Sequence, residues 1–110
     1  MPGGRAEALA LVARDPDALL VAVDDDGLAG TVIVGWDGWR CHLYRMVVEP
    51  RCRRRGVAAS LVAEAKERAQ ALGAGKIDAT VAFDNAPAIE FWERQEFVAD
   101  PRDGRWTFRF

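Results

Sequence analysis

The chain has 110 residues, a length typical of one domain with a single hydrophobic core. Half of its residues are hydrophobic and 29% are charged, which excludes a disordered chain, and its formal net charge of −2 argues against a generic nucleic-acid binder. No apolar run reaches the roughly 18 residues of a membrane-spanning helix, and the first residues lack a signal-peptide pattern. Cys41 and Cys52 are too few for a disulfide framework or a zinc site. We therefore expect a cytoplasmic protein with free thiols, no membrane association and no metal.

The first half of the chain reads as one helix followed by three antiparallel strands. Small and apolar side chains recur at helical spacing over residues 4–14, and the prolyl turn at residues 15–17 ends that helix. Two Asp-Gly turns of the kind that favours hairpins separate the strands that follow. The predicted strands span residues 18–23, 29–36 and 40–49.

The second half alternates helices and strands. Residues 57–72 carry one apolar stripe at helical spacing, and Gly73 is suited to end that helix. Residues 76–83 alternate apolar and polar side chains, which predicts a strand, and its position after a helix predicts parallel pairing with the third strand. Asn85 can cap a helix over residues 86–94. A final hairpin is predicted from two short segments, residues 97–99 and 105–110.

These elements predict one α+β domain. The order α-β-β-β-α-β-α-β-β gives a mixed, mainly antiparallel sheet with flanking helices. We expect the domain to span residues 1–110, because the sequence contains no repeat, linker or low-complexity segment.

The segment between the third strand and the long helix carries the most chemical information. The first N–H groups of a helix lack intrahelical partners and favour an anion. Gly56 lets the backbone approach a ligand, and Ala58 and Ala59 leave space beside it. Guanidinium groups suited to phosphate precede the helix at Arg53, Arg54 and Arg55. This pattern predicts a cradle for a pyrophosphate, with a solvated basic loop as the alternative.

Two motifs resemble the GNAT superfamily of N-acetyltransferases. Arg53-x-x-Gly56-x-Ala58 matches the acetyl-CoA signature of that family, R/Q-x-x-G-x-G/A. Residues 85–97, NAPAIEFWERQEF, are similar to its N-x-x-A-x-x-F-Y-x-x-x-G-F stretch. The resemblance covers the chain from about residue 20 to its last residue. It implies a GNAT-like fold that lacks the usual first strand and helix of the family.

The resemblance also implies acetyl-CoA as the co-substrate and assigns roles in its binding. Backbone groups of Met46, Val47 and Val48 would pair with the pantetheine amides as an added strand. A backbone N–H near Val48 would polarise the thioester carbonyl. Asn85 would reach the CoA arm, although a plain helix cap explains it equally well. The amides that would hold the pyrophosphate are those of Arg53, Arg54, Arg55, Gly56, Val57, Ala58 and Ala59.

The implied reaction is direct attack of a primary amine, on a small molecule or a protein, on acetyl-CoA. An alkylammonium has a pKa near ~10, so a base must remove a proton. His42 is the only histidine; the two-residue strand period places it on the face of Tyr44, Met46 and Val48, and it is a candidate base. Ordinary strand packing is the alternative. Trp92 occupies the position of the usual tyrosine acid of the family, so Tyr44 is the candidate substitute.

Other readings of the same residues stay open. One is a catalytically weak acyl-CoA-binding or regulatory module of the same fold. Another is a small nucleic-acid-binding domain that uses Arg45 and Arg51 with the three arginines above, against which the overall acidity argues. Trp36 and Trp39 flank a turn and are candidate walls of an acceptor site. Glu96 replaces the usual glycine of the family's second motif, so the end of the last helix should differ.

The first predicted strand indicates that the protein binds a second copy of itself or another chain. Because the elements that normally precede it in the family are missing, the stretch from Ala18 to Val23 should form an exposed apolar edge. We expect a homodimer, or a partner chain, to cover it.

Overall fold

The structure is a computed structural model that describes residues 5–110. Three helices and four strands follow one another in the order α-β-β-β-α-β-α, which confirms the α+β class and the predicted order up to residue 94. The first residue predicted for the opening helix lies outside the described residues. The elements are α1 (Arg5–Arg14), β1 (Leu19–Asp24), β2 (Gly27–Trp36), β3 (Cys41–Val48), α2 (Val57–Leu72), β4 (Ile77–Ala79) and α3 (Ala86–Arg94).

The chain divides into two compact units, Met1–Thr80 and Val81–Phe110. The first contains the whole sheet with α1 and α2, and the second contains α3 and the residues after it. That residues 1–110 act as one domain stays a prediction. None of the helices in the described part of the chain is long and apolar enough to cross a membrane.

The four strands form one sheet in the order β1-β2-β3-β4. The first three pair antiparallel and β4 pairs parallel to β3, as the helix between them predicts. The helix α2 packs on one face of the sheet, and Gly30 of β2 allows the contact. A β-carbon at this glycine would lie 2.9 Å from the carbonyl oxygen of Val47 and 3.0 Å from the side chain of Val57. The buried core between sheet and helix includes Val32, Val34, Cys41, Leu43, Leu61, Val62, Ala65 and Ala69.

A β-bulge interrupts β3 halfway along its length. Ile33 pairs with Tyr44 and Thr31 with Val47, so two residues of β3 face one residue of β2. Arg45, inside the bulge, has a φ of 53°, the left-handed conformation that L-residues with side chains rarely adopt. Because the extra residue shifts the alternation, Val47 rather than Val48 shares the face of Tyr44. The predictions that Met46 and Val48 lie on the face of His42 are therefore both wrong.

Two predicted strands are shorter than expected or absent. The strand predicted over 76–83 is limited to Ile77–Ala79, because its pairing with β3 stops at Leu43, just before the bulge. The final hairpin is wrong, since residues 97–110 contain no strand. The turn between its arms does form, and Arg102 donates its backbone N–H to the Asp100 carboxylate at 3.0 Å. An isolated pair of short strands is only marginally stable in water. The turn residues predict where such a pair would reverse direction, but they do not supply the third strand that would stabilise it.

Candidate functional site

The loop between β3 and α2 forms the turn into a helix that was predicted from the Arg53-x-x-Gly56-x-Ala58 motif. A 3₁₀ turn at Pro50–Cys52 follows β3, and residues 53–56 then turn into the first residue of α2. Arg54 and Gly56 both adopt left-handed backbone conformations, with φ of 65° and 79°. A β-carbon at Gly56 would meet no atom within 4 Å. Glycine is thus favoured here by the backbone angle, and the space beside it is open to a ligand.

The amides at this turn are available to an anion. The first helical hydrogen bond of α2 runs from Ser60 N to Gly56 O at 3.0 Å, so the N–H groups of residues 57–59 precede it. Within residues 5–110, no backbone hydrogen bond is recorded for the amides of residues 54–56. The side chains of Arg53, Arg54 and Arg55 are exposed around them. We call residues 53–59 the cradle loop; its donors and charge fit a pyrophosphate.

The part of β3 that leads into the cradle loop has one edge to which no strand of residues 5–110 is paired. β4 pairs only with Cys41–Leu43, whereas β3 continues to Val48. The stretch from Tyr44 onward therefore keeps backbone groups on that edge that an extended ligand can bind by strand addition. Met46, Val47 and Val48, the residues expected to pair with pantetheine, all lie in this stretch.

His42 and Tyr44 lie together on the face of the sheet away from α2. Their ring centroids are 4.6 Å apart with a tilt of 38°, which confirms that they share a face. The His42 Nε2 atom is 3.3 Å from the Thr80 hydroxyl oxygen. Gly35 lies beneath the Tyr44 ring, where a β-carbon would come within 2.7 Å of a ring atom. The geometry joins the two candidate catalytic residues, and their roles remain predictions.

Comparison with known proteins settles the family of this chain. The family model described as acetyltransferase (GNAT) family matches residues 3–97. The chain is a member of the GNAT acetyltransferase family. An acetyltransferase of Pectobacterium atrosepticum is 36% identical over 84 residues, which cover 76% of this chain and 60% of the relative. The chain therefore spans about three fifths of the length of this curated relative.

Solved GNAT structures agree with the architecture. A nourseothricin acetyltransferase is 40% identical with a TM-score of 0.65, and the match covers 70% of this chain and 47% of that one. The Ard1 protein of Thermoplasma volcanium has a TM-score of 0.76, with coverage of 84% and 64%. At 22% identity the second likeness shows the fold alone. The GNAT fold predicted from the two motifs is confirmed.

The second GNAT motif folds as a capped helix in the unit Val81–Phe110. The Asn85 side chain accepts a hydrogen bond from Ala88 N at 3.1 Å, which confirms the predicted cap of α3. At the other end, Phe97 N donates to Trp92 O at 3.0 Å and Glu96 N to Glu93 O at 2.9 Å, the two bonds of a Schellman motif.

Two residues of this motif differ from the usual GNAT pattern. Glu96 takes the left-handed position with a φ of 68°, so the backbone keeps the conformation that glycine favours. Trp92, at the usual acid position, packs edge-on against Phe97 with ring centroids 4.9 Å apart. Its indole N–H can donate a hydrogen bond but is not a useful acid.

Trp36 and Trp39 line a cavity of about 590 Å³ at the start of β3 and β4. The Arg40 guanidinium lies 4.2 Å from the centroid of the Trp39 ring. The cavity adjoins Cys41, whereas the cradle loop follows the other end of the strand. At about 3.3 Å per residue, roughly 20 Å of strand separate them. An amine bound in this cavity cannot attack a thioester near Val48 directly.

Both cysteines are free and buried, as expected of reduced thiols. Burial raises the pKa of the Cys41 thiol and, together with the nearby Asp24 carboxylate, that of Cys52. Neither thiol has the lowered pKa of a nucleophile.

Arg51 has a role that the sequence did not indicate. It stands in the same basic run as the cradle arginines, yet its guanidinium binds the carboxylate of Asp24, with Nη1 2.8 Å from Oδ2. Hydrogen bonding to Arg51 is the largest cause that lowers the pKa of Asp24 to about 2. Asp24 lies 27 positions earlier, so no local spacing could have indicated the pair.

Proposed function

We propose that this GNAT chain transfers the acetyl group of acetyl-CoA to a primary amine by direct attack. The amine nitrogen forms a bond to the carbonyl carbon, the carbon–sulfur bond breaks, and CoA leaves as a thiolate. The proton lost by the amine passes to a base. The observation that carries this proposal is the edge of β3 at Met46–Val48, which β4 does not reach and which leads into the cradle loop. The strand edge fits an extended pantetheine arm, and the cradle loop fits a pyrophosphate.

Each part of the proposed site has a separate task. The cradle loop binds the diphosphate with its amides and arginines. The β3 residues Met46, Val47 and Val48 align the arm through their backbone, and an N–H near Val48 stabilises the developing oxyanion. Asn85 is kept as a contact to the CoA arm in addition to its role as a cap.

The position of His42 defines how it acts in this scheme. It lies six residues before Val48, about 20 Å of extended strand. A base at this distance works through bound water and the adjacent Tyr44 rather than by direct contact with an amine at Val48. Tyr44, next to the bulge, is the nearer group, at about 13 Å of strand from Val48. It is proposed to return a proton through bound water to the CoA thiolate, whose thiol has a pKa near ~8.5.

The acceptor is proposed to be the amine of a small molecule. This rests on the nourseothricin acetyltransferase, whose name gives nourseothricin as its substrate and which is 40% identical over the shared region. The experiment is a CoA-release assay on the purified chain with acetyl-CoA and a panel of amines that includes nourseothricin and a lysine peptide. Faster CoA release with nourseothricin than with buffer supports the proposal, and release only with the peptide favours a protein acceptor.

A second candidate function is favoured by Trp92. Since an indole cannot supply the proton that the usual tyrosine gives, the chain would bind acetyl-CoA as a weakly catalytic or regulatory module. The same assay separates the two candidates. Saturable binding of acetyl-CoA without release of CoA on any amine supports the module.

We also propose that a second copy of the chain covers the edge strand β1. This strand is first in the sheet order and exposes Leu19, Val21 and Val23 by 37%, 50% and 72%. An exposed apolar edge favours pairing with another strand. Sedimentation at micromolar concentration should give a dimer, and a clean monomer would remove this part of the proposal. The free thiols support a cytoplasmic location, which belongs to the same proposal.

A further inference from the structure

One arginine, two residues before the cradle loop, binds the turn between β1 and β2. Arg51 donates from Nη1 to Asp24 Oδ2 at 2.8 Å and from Nη2 to Asp24 Oδ1 at 3.1 Å. The same Nη2 lies 2.9 Å from the carbonyl oxygen of Leu28. Asp24 ends β1 and Leu28 belongs to β2. A single planar guanidinium therefore holds both sides of that turn.

The residues before the cradle loop are fixed on the sheet by further contacts. Glu49 N donates to Ala29 O at 2.8 Å. Cys52 is 1% exposed, and its Sγ lies 3.5 Å from Asp24 Oδ2. The next residues differ, because the side chains of residues 53–55 are exposed and the backbone passes through two left-handed positions. The direction in which the chain leaves Arg51 therefore decides where the cradle amides lie.

The exposure of this ion pair limits its effect on the stability of the fold. The side chains of Arg51 and Asp24 are 37% and 35% exposed, and pairs at that level contribute little to the free energy of unfolding. A two-pronged arginine–carboxylate contact instead gives a fixed orientation, which a lysine ammonium cannot reproduce. Loss of the Asp24–Arg51 pair is therefore expected to make the cradle loop less ordered while the rest of the fold stays intact.

We propose that Asp24 and Arg51 form a clamp that positions the cradle loop for the diphosphate of acetyl-CoA. Both are positioning residues, since they act through the backbone of the loop. This inference rests on the proposed function, because it takes the cradle loop to be the CoA site. It also predicts a property of the protein without any ligand, the order of residues 53–59.

The first test is kinetic and uses the full chain. Arg51→Gln and Asp24→Asn should each raise the KM for acetyl-CoA roughly tenfold, with kcat nearly unchanged, because the clamp does not touch the thioester. Arg51→Lys should not restore the KM, whereas the exchanged pair Asp24→Arg/Arg51→Asp should recover part of it. A KM equal to that of the unmodified protein in both single variants would overturn the proposal.

A matched control is available in the same unit. Arg68 of α2 binds the Asp15 carboxylate at 3.0 Å, and both partners of this ion pair lie outside the cradle loop. Asp15→Asn should lower the free energy of unfolding without changing the KM for acetyl-CoA. An equal rise of KM in Asp15→Asn would show that general loss of stability, not the clamp, weakens binding, and would contradict the proposal.

The second test separates the clamp from the function. Hydrogen exchange of the ligand-free protein should speed up in Arg51→Gln at the hydrogen-bonded amides that flank the cradle loop, those of Cys52, Arg53 and Ser60, and stay unchanged in the second half of α2. If the unmodified protein binds no acetyl-CoA, the proposed function fails, and this exchange still decides the clamp. Equal exchange in Arg51→Gln and the unmodified protein would refute the clamp, whatever the ligand.

Discussion

Replacing Gly30 by alanine should disturb both the packing of the sheet and the cradle loop. The added β-carbon would lie 2.9 Å from the carbonyl oxygen of Val47, 3.0 Å from the Val57 side chain and 3.2 Å from the Leu61 side chain. The first contact is with backbone, which can yield only if β3 moves. The other two belong to the first turns of α2, so the helix has to lift from the sheet.

The size of the effect follows from this overpacking. Extra methyl groups in a packed core cost about 1–3 kcal/mol, and each ~1 kcal/mol lowers the Tm of a domain of this size by about 4–8 °C. We therefore expect a Tm at least about 4 °C lower. We also expect weaker binding of acetyl-CoA, because Val57 is part of the cradle loop and would be displaced. Thermal denaturation measures the change in Tm, and calorimetric titration measures the binding of acetyl-CoA. Gly75→Ala is the control, since its β-carbon would meet nothing within 4 Å. A Gly30→Ala protein as stable as Gly75→Ala would refute the reasoning.

Three further predictions follow from single side chains. Glu96→Gly should raise the free energy of unfolding by about 1 kcal/mol in urea titrations, since it relieves a left-handed non-glycine residue; a decrease would contradict this. Asp24, with its pKa held near 2 by Arg51, makes a small contribution to the stability of the fold above its usual pKa of 3.8, and this exposed pair loses that contribution as the pH falls toward 2. Asp24→Asn should therefore slightly flatten the fall of Tm between about pH 4 and about pH 2, and an unchanged fall would argue against the pair. His42→Gln should abolish the acid limb of the pH profile of kcat/KM, and a profile identical to that of the unmodified protein would remove His42 as the base.

The sequence predicted the elements whose signal is local and repeated. The apolar stripe of residues 57–72 coincides with α2, and Asn85 caps α3 as expected. Asp-Gly turns mark the ends of β1–β3 closely, because these turn residues favour one backbone geometry. The position of the cradle loop follows from the same kind of local pattern.

The rest depends on contacts that local patterns do not encode. The bulge of β3 places the left-handed conformation on Arg45, a residue type that gives no turn signal. The bulge reverses the facing of Val48 and ends the pairing of β4, so both errors have one cause. The alternation of residues 97–110 resembles strands, but pairing needs a neighbour that the sequence pattern does not provide. The Asp24–Arg51 contact joins the end of β1 to the 3₁₀ turn after β3, two segments that only the fold brings together.

Calorimetric and thermal-shift titration with acetyl-CoA, on the unmodified chain and on a Gly56→Val variant, tests the central claim most directly. At one hundred times its Kd, acetyl-CoA should add roughly 2.7 kcal/mol to the stability of the unmodified protein. The variant should gain nothing, because a branched side chain at a φ of 79° displaces the amides that bind the diphosphate. Comparing each protein with and without ligand removes the cost of the substitution itself. Equal ligand-induced shifts in the two proteins would contradict the account and place the CoA site elsewhere.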